Sequence, residues 1–198
     1  MVRLRASLLA LSLALCSLPL AAAELNLERL LARFAEQAEL RLDYRETRHM
    51  EMLGGELENS GQLIFRAPDY LRKEQRRPQP LVLEIEADEA RILREGRETR
   101  AIALSSQPQL AALIGALRAT LAGDADALRA RYEADLRGDQ DDWTLTLTPR
   151  AGTRSGRIEQ LRMHGSQARV RRVRIDETGD NWTLLELGPP ETGRQSSD

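Results

Sequence analysis

Residues 60–74 read SGQLIFRAPDYLRKE. Apolar and polar residues alternate on both sides of Ala67-Pro68-Asp69, and this period of two is typical of β-strands with one buried face. Proline and aspartate at the centre favour a turn. The stretch therefore predicts two antiparallel strands joined at a corner, with Leu63 and Phe65 on the same face of the sheet.

The same alternation extends outward over most of the chain. It recurs at residues 41–52, at 80–105 and in four segments between residues 141 and 188. Each run is bounded by turn-forming residues, which predicts a meander of short antiparallel strands. The predicted turns are Gly54-Gly55, Asn59-Ser60-Gly61, Pro68-Asp69, Pro78-Gln79-Pro80, Ala87-Asp88-Glu89 and Glu95-Gly96-Arg97.

Two regions have the spacing of amphipathic helices instead. The first is residues 25–40, and the second is residues 106–139, which we expect to form two helices split at Gly123-Asp124. The apolar positions are Leu27, Leu30, Leu31, Phe34, Ala35 and Ala38 in the first region, and Leu110, Leu113, Ile114, Leu117, Leu121, Leu128, Tyr132 and Leu136 in the second.

One face of the predicted strands is consistently apolar. An antiparallel sheet with one apolar face must be covered, and the helices are the available cover. The predicted fold is α+β: an incomplete, half-open antiparallel β-barrel with a helical lid or plug. The apolar positions are Leu42, Tyr44, Leu63, Phe65, Leu81, Leu83, Ile85, Trp143, Leu145, Leu147, Val173 and Ile175.

This apolar face has two interpretations. A stripe at strand spacing is usually core. A binding cavity is the alternative, and it is favoured by the low aromatic content of 4% and by the small residues of the predicted lid, which would fill space poorly. Those small residues are Ala111, Ala112, Gly115, Ala116 and Ala119.

The N-terminus indicates export. Arg3 and Arg5 precede an apolar run that ends near Ala21-Ala22-Ala23, which is typical of a signal peptide. The only cysteine, Cys16, lies in this segment and follows Leu15, a poor residue for lipidation. We expect a signal peptide at residues 1–23, one domain at 24–190, a flexible tail at 191–198, and a periplasmic, monomeric protein.

Charge and motifs exclude several classes of function. Without Arg3 and Arg5 the 29 basic residues become 27 against 31 acidic ones, a formal charge of −4, which argues against nucleic-acid binding. The two histidines, His49 and His164, lie outside any catalytic or metal-binding motif. We therefore expect no catalytic residue, no metal site and no cofactor.

Two charged patterns have ordinary explanations. Glu84 and Glu86 share one strand face, which predicts a solvated outer face rather than a catalytic pair. The arginines of ARVRRVR, residues 168–174, are typical of an exposed sheet face or an edge strand.

The order of these elements resembles the LolA family of periplasmic outer-membrane lipoprotein carriers, in particular its LolA-related branch. The resemblance rests on the opening helix, the YRETR strand, the SGQLIFRAPDYLRKE corner, LVLEI, the paired middle helices, WTLTLTP and the closing strands. It implies a half-barrel whose concave apolar face takes up acyl chains when the middle helices open.

The resemblance implies three groups of site residues. The cavity lining would be Leu42, Tyr44, Leu63, Phe65, Leu81, Leu83, Ile85, Trp143 and Leu145. The lid would be Leu110, Leu113, Ile114 and Leu117, and the mouth, where cargo is handed over, would be Arg66, Pro68 and Leu71.

The corner departs from the family pattern. The family has an arginine before this proline that holds the lid shut, whereas this chain has Ala67. Arg66, one residue earlier, should point to the other face. The aromatic residue that the family uses for handover is replaced by Leu71.

Three functions remain open on this basis. The first is a carrier of lipoproteins, loaded by an inner-membrane release complex and unloaded on an outer-membrane acceptor, with peripheral contact to membrane proteins. The second is a carrier of another acylated, polyene or glycolipid ligand in a dedicated export pathway. The third is a module that senses lipid or lipoprotein.

Overall fold

The computed structural model describes residues 25–153 and 156–190. The predicted signal peptide and the predicted tail lie outside these residues. No helix within the two ranges is long and apolar enough to cross a membrane.

Three α-helices are present in the described chain: α1 (Leu27–Ala35), α2 (Pro108–Leu121) and α3 (Ala125–Arg131). The Asn26 carboxamide accepts the backbone N–H of Arg29, and the Asp124 carboxylate accepts that of Ala127. These side chains satisfy N–H groups that a helix start leaves unpaired. Short 3₁₀ turns occupy Glu51–Leu53 and Leu104–Ser106.

Eleven strands form one antiparallel sheet in the described residues. They are β1 (Glu39–Met50), β2 (Gly55–Arg66), β3 (Tyr70–Arg77), β4 (Leu81–Glu86), β5 (Glu89–Arg94), β6 (Arg97–Ala103), β7 (Tyr132–Gly138), β8 (Trp143–Pro149), β9 (Ile158–Ser166), β10 (Arg169–Glu177) and β11 (Asn181–Pro190).

The strand order is β6-β5-β4-β3-β2-β1-β11-β10-β9-β8-β7. Two meanders therefore meet where β1 pairs with β11, and α2 and α3 connect the outermost strands β6 and β7. Because β6 and β7 lie at opposite edges, the sheet is not closed. The predicted half-open antiparallel barrel with a helical cover is confirmed.

Two hydrophobic clusters lie between the sheet and the helices. The larger cluster joins α1, α2 and α3 to β7 through β10, and it includes Phe65 of β2. The smaller cluster contains Ile85, Ala90, Leu104 and Ile114 and joins β4 and β5 to α2. The face of the sheet that contacts the helices is called the inner face below.

Three details of the sequence prediction are wrong. Asn59-Ser60-Gly61 is not a turn but the middle of β2, where the pairing with β3 shifts register. Tyr132 and Leu136 are on β7 rather than on a helix. Helix α1 ends at Ala35, before Ala38. Of the two settings expected for the arginines of β10, the exposed sheet face is confirmed, because this strand lies inside the sheet and not at its edge.

Candidate functional site

The pairing register places the predicted cavity residues on the inner face. Phe65 lies opposite Leu71, which lies opposite Ile85. In the other half of the sheet, on the same face, Leu145 lies opposite Met163, which lies opposite Val173. Residues that face each other in an antiparallel pair point to the same side, so Leu42, Tyr44, Leu63, Phe65, Leu81, Leu83, Ile85, Trp143 and Leu145 share one face.

Two cross-strand rows organise the β1–β5 half of this face. The corner row, nearest the turn at Pro68, consists of Leu40, Phe65, Leu71, Ile85 and Ala90. The leucine row, two residues further along each strand, consists of Leu42, Leu63, Lys73, Leu83 and Ile92.

The two rows differ in burial. In the corner row Phe65, Ile85 and Ala90 are buried, with Ile85 fully enclosed. All members of the leucine row are half-buried. The boundary of the helical cover therefore passes between the two rows, about 7 Å apart along each strand.

The β7–β10 half of the inner face is packed as core. Trp143 and Leu145 are each only 1% exposed. The ring of Phe34 on α1 meets Trp143 edge-on with centroids 6.0 Å apart, and the Trp143 indole N–H donates to the carbonyl of Gln167 at 2.9 Å. These contacts fix the tryptophan between α1 and the sheet.

Helix α2 carries the predicted lid residues and lies across both halves. Ile114 is buried in the smaller cluster and Leu110 packs against it, whereas Leu113 and Leu117 pack against the larger cluster.

Three of the five small residues of α2 are buried. Ala112, Ala116 and Ala119 are buried in the larger cluster. Small side chains let a helix approach its neighbours closely, and these three alanines are part of close packing.

Arg118, in the last turn of α2, joins this helix to two turns of the sheet. Its Nη2 donates to the carbonyl of Asp69 at 2.8 Å and its Nη1 to the carbonyl of Ala87 at 2.7 Å. The Asp69 carboxylate also accepts the Ala87 N–H at 3.2 Å, which ties the two turns together. One guanidinium thus holds the helix to the corner after Pro68 and to the β4–β5 turn.

The N-terminal half of α2 has two further polar attachments. The Tyr132 hydroxyl donates to the carbonyl of Ala112 at 2.9 Å, and the Gln109 amide donates to Glu177 on β10 at 2.5 Å. Burial raises the pKa of Tyr132, so its phenol stays protonated as a donor at neutral pH.

The three predicted mouth residues do not form one group. Arg66 is exposed on the outer face, as strand alternation predicted, with its guanidinium 4.2 Å from the centroid of the Tyr70 ring. Pro68 is exposed in the turn. Leu71 is half-buried on the inner face and packs against both clusters.

The sequence analysis missed Arg118 as a functional candidate. It is the one charged residue within residues 108–121, a stretch that is otherwise apolar or small apart from its glutamine and threonine. That isolation is a signal that could have identified it.

A polar cluster on the inner face was also missed. The Lys73 ammonium is paired with the Glu46 carboxylate, and their side chains are 23% and 5% exposed. The Asn59 amide donates to the same carboxylate at 2.8 Å, and Lys73 Nζ lies 5.0 Å from the centroid of the Tyr44 ring. We call Tyr44, Glu46, Asn59 and Lys73 the polar cluster.

The electrostatics of the polar cluster follow from burial and pairing. Burial alone would raise the pKa of Glu46, but the charge and hydrogen bond of Lys73, the bond from Asn59 and the charge of Arg48, 3.7 Å away, outweigh it and lower the pKa. Burial and then the Glu46 charge raise the pKa of Tyr44. The cluster at neutral pH is therefore a neutral phenol beside an ion pair.

The remaining chemical candidates lie elsewhere. His49 is stacked on Trp182 with centroids 5.7 Å apart, and Glu86 is exposed on the outer face. Glu84 is less solvated than predicted, because Arg72 lies 2.5 Å from its carboxylate and leaves it 16% exposed. Within residues 25–153 and 156–190, no group of three His, Cys, Asp or Glu side chains could hold a metal ion.

A half-open antiparallel sheet with an apolar inner face and a helix laid across it defines a fold that can enclose apolar ligands. Residues 20–187 match the family described as outer membrane lipoprotein carrier protein LolA-like, and the chain belongs to that family. No curated protein matches the chain in sequence.

Solved structures similar to this chain differ strongly in sequence. A LolA superfamily protein from Nitrosomonas europaea is 9% identical with a TM-score of 0.48, covering 85% of this chain and 94% of its own. The lipoprotein LppX of Mycobacterium tuberculosis is 14% identical with a TM-score of 0.45, covering 85% and 98%. The Pseudomonas aeruginosa MucA/MucB complex is 14% identical with a TM-score of 0.43, covering 87% of this chain and 59% of that one.

Proposed function

We propose that this protein is a periplasmic carrier that binds the acyl chains of lipoproteins on its inner face and delivers them towards the outer membrane. Membership of the LolA-like family supports a carrier rather than an enzyme. Acyl chains need only non-directional apolar contact, since each methylene removed from water contributes about 0.8 kcal/mol.

The observation that carries the proposal is the boundary between the corner row and the leucine row. Leu42, Leu63 and Leu83 are half-buried at the margin of α2, while Ile85 and Phe65 are buried directly beneath the cover. We call the corner row and the leucine row together the apolar strip. An acyl chain that enters along the leucine row would continue to the buried residues of the corner row under α2. Leu81 continues the strip on the side away from the corner.

Helix α2 is the part that moves in this proposal. Its apolar residues Leu110, Leu113, Ile114 and Leu117 contact the sheet on both sides of the strip, so a shift of the helix exposes both clusters at once. Arg118 holds the closed position through backbone carbonyls of the two turns. This replaces the corner arginine that the chain lacks at Ala67.

A second candidate is a carrier of another acylated ligand in a dedicated export pathway. The observation that favours it is the corner itself. Ala67 and Leu71 stand where the resembled family has residues for lid control and handover, and Arg66 points to the outer face. A protein with a different latch is suited to different loading and acceptor partners.

Native mass spectrometry of the protein purified without detergent from the periplasm of its source tests both candidates. An adduct with the mass of a lipoprotein, released by denaturation, is the expected result. A smaller lipid or polyene would select the second candidate. Repeated preparations without any adduct, together with failure to bind acyl probes, would contradict both.

A further inference from the structure

The polar cluster contains the only lysine of the chain. Of the 29 basic residues, 28 are arginines, and Lys73 lies in the middle of the leucine row on the inner face. The register places Leu63 directly opposite it on β2 and Leu83 directly opposite it on β4. A single ammonium therefore lies within the half-buried apolar strip.

A glycine lies beside the path from Lys73 to Glu46. The two side chains come from β3 and β1, which are separated by β2, and the register puts Gly61 between them. Gly61 lies so close to the backbone of β3 that an added Cβ would be 1.8 Å from the carbonyl oxygen of Glu74. The missing side chain therefore permits the close approach of β2 and β3 next to the ion pair.

Stability does not account for this arrangement. The pairing of two charges in an apolar region contributes little net stability, because desolvation offsets their attraction. Leucine neighbours on either side show that an apolar residue fits the row. Lysine also differs from arginine in being a compact charge with three N–H donors on a flexible stem, and one of the three is used by Glu46.

Unsatisfied polar atoms accompany the pair. The Tyr44 hydroxyl and the Asn59 carboxamide oxygen are both buried and have no hydrogen-bond partner in the described parts of the chain. Buried polar groups without partners are uncommon and call for an explanation. A ligand group next to Lys73 would offer an acceptor to the Tyr44 hydroxyl.

Polarity changes in order along the strands. The corner row is apolar, with Phe65, Ile85 and Ala90 buried and Leu40 and Leu71 half-buried. The leucine row is apolar except for Lys73, and the next row contains Tyr44 and Gln75 beside Leu81. This order matches an amphiphile whose chain points towards α2. Its headgroup would then lie at the ammonium.

We infer that Lys73 binds a single acidic headgroup, carboxylate or phosphate, of an acyl ligand whose chain lies on the corner and leucine rows. This inference rests on the proposed function and narrows its ligand class. Tyr44 completes the site as a hydrogen-bond donor, and Glu46 holds the ammonium in place when the site is free.

Displacement of a neutral pyrene-labelled monoglyceride at pH 8 tests the inference. The competitors are hexadecanoic acid, hexadecyl phosphate, neutral hexadecanol, and acetate and inorganic phosphate as acids without a chain. We expect the two acidic amphiphiles to displace the probe at concentrations about tenfold or more below hexadecanol, as for a hydrogen bond to a charged group. The chainless ions should not displace it.

Matched variants distinguish specific binding of the acidic headgroup by Lys73 from the non-specific effect of removing a positive charge. The double variant Lys73→Met with Glu46→Gln replaces the ion pair by a neutral pair of similar shape, and it should abolish the acid preference, measured as the ratio of the displacing concentrations of hexadecanol and hexadecanoic acid for the same variant. Arg100→Met is the control, since Arg100 lies opposite Ile92 in the same cross-strand row but is exposed on the edge strand β6. It should keep the full preference.

The outcomes distinguish this inference from the proposed function. If hexadecanol and the acids displace the probe equally from the unmodified protein, the anchor is wrong and acyl binding stands. Equal loss of preference in Arg100→Met would also overturn it. If the protein takes up no acyl probe at all, the proposed function fails first.

The single lysine allows a second, independent measurement. Reductive methylation with ¹³C-formaldehyde labels one side chain besides the N-terminus. The NMR signal of dimethylated Lys73 should shift with hexadecanoic acid and remain in place with hexadecanol. A signal that responds identically to both ligands would contradict contact with the acidic group.

Discussion

The two halves of the inner face have similar sequence patterns but different surroundings. On β8, Trp143, Leu145 and Leu147 alternate with threonines and are buried in the cluster to which all three helices contribute. On β4, Leu81, Leu83 and Ile85 alternate in the same way, yet only Ile85 is buried. The helices α1 and α3 belong to the larger cluster, whereas the smaller cluster has only α2 and the short turn at Leu104 as cover.

This difference separates core from candidate binding surface. Residues under three helices are held from several directions, so they determine stability. Residues at the margin of one helix can exchange a helix contact for a ligand contact. Of the nine predicted lining residues, Trp143 and Leu145 therefore belong to the first group, and Leu42, Leu63, Leu81 and Leu83 fit the second.

The largest expected effect is on the enclosed half. Trp143→Ala should lower the free energy of unfolding by about 3–5 kcal/mol, because it removes a fully buried aromatic and leaves a cavity. Urea denaturation followed by circular dichroism measures this. Trp182→Ala, at the half-buried tryptophan stacked on His49 near the outer surface, is the matched control and should cost clearly less. Equal costs would mean that the two halves do not differ as described.

Removal of the Arg118 attachment should have the next largest effect. Arg118→Met keeps the apolar stem but loses two hydrogen bonds to backbone carbonyls, which should cost about 1–3 kcal/mol. Hydrogen exchange in α2 should accelerate while β8 and β9 stay protected.

The control for this prediction is Arg129→Met on α3. Arg129 pairs with Glu28 at 2.5 Å, but both side chains are about half exposed and screened by water, so the loss should be clearly smaller than for Arg118→Met. If Arg118→Met leaves exchange in α2 unchanged, the arginine does not hold the helix.

Strand alternation made most of the sheet and its inner face predictable. Leu63, Leu83 and Leu145 could be assigned to one face because a period of two leaves each side chain only two directions. Tyr132 and Leu136 could not be assigned, since a spacing of four residues satisfies a helix and a strand equally well. Only the pairing of β7 with β8 decides between the two.

The missed parts of the site depend on contacts between distant residues. Glu46 and Lys73 meet across an intervening strand, and the shift of register at Ser60 and Gly61 decides that geometry. Asn59-Ser60-Gly61 has turn chemistry but lies in a paired strand, because its neighbours on β1 continue the ladder. The local sequence pattern predicts neither the contact between Glu46 and Lys73 nor the strand pairing of residues 59–61.

A smaller effect on stability should come from the open half. Leu63→Ala should cost about 1 kcal/mol, since its side chain is only half-buried, against about 2–5 kcal/mol for Leu145→Ala in the core. Acyl-probe affinity should change in the opposite order, with a several-fold loss for Leu63→Ala, because about 0.8 kcal/mol is lost per methylene contact. Fluorescence titration of the folded fraction measures this. Affinity that falls only for Leu145→Ala would place the ligand in the enclosed half.

The smallest expected effect is the acid response of the polar cluster. The pKa of Glu46 is lowered in the folded protein from its ordinary 4.5, so its contribution to stability is present above pH 4.5 and is lost as the pH falls through the lowered value. In Glu46→Gln this side chain no longer titrates in the folded or the unfolded state. The free energy of unfolding of this variant should therefore depend less steeply on pH below 4.5 than that of the unmodified protein. Glu56→Gln, at an exposed glutamate of β2, corrects for the change in net charge. Identical slopes for both variants and the unmodified protein, from urea titrations between pH 5 and pH 3, would show that the pair on the open half is not formed in solution.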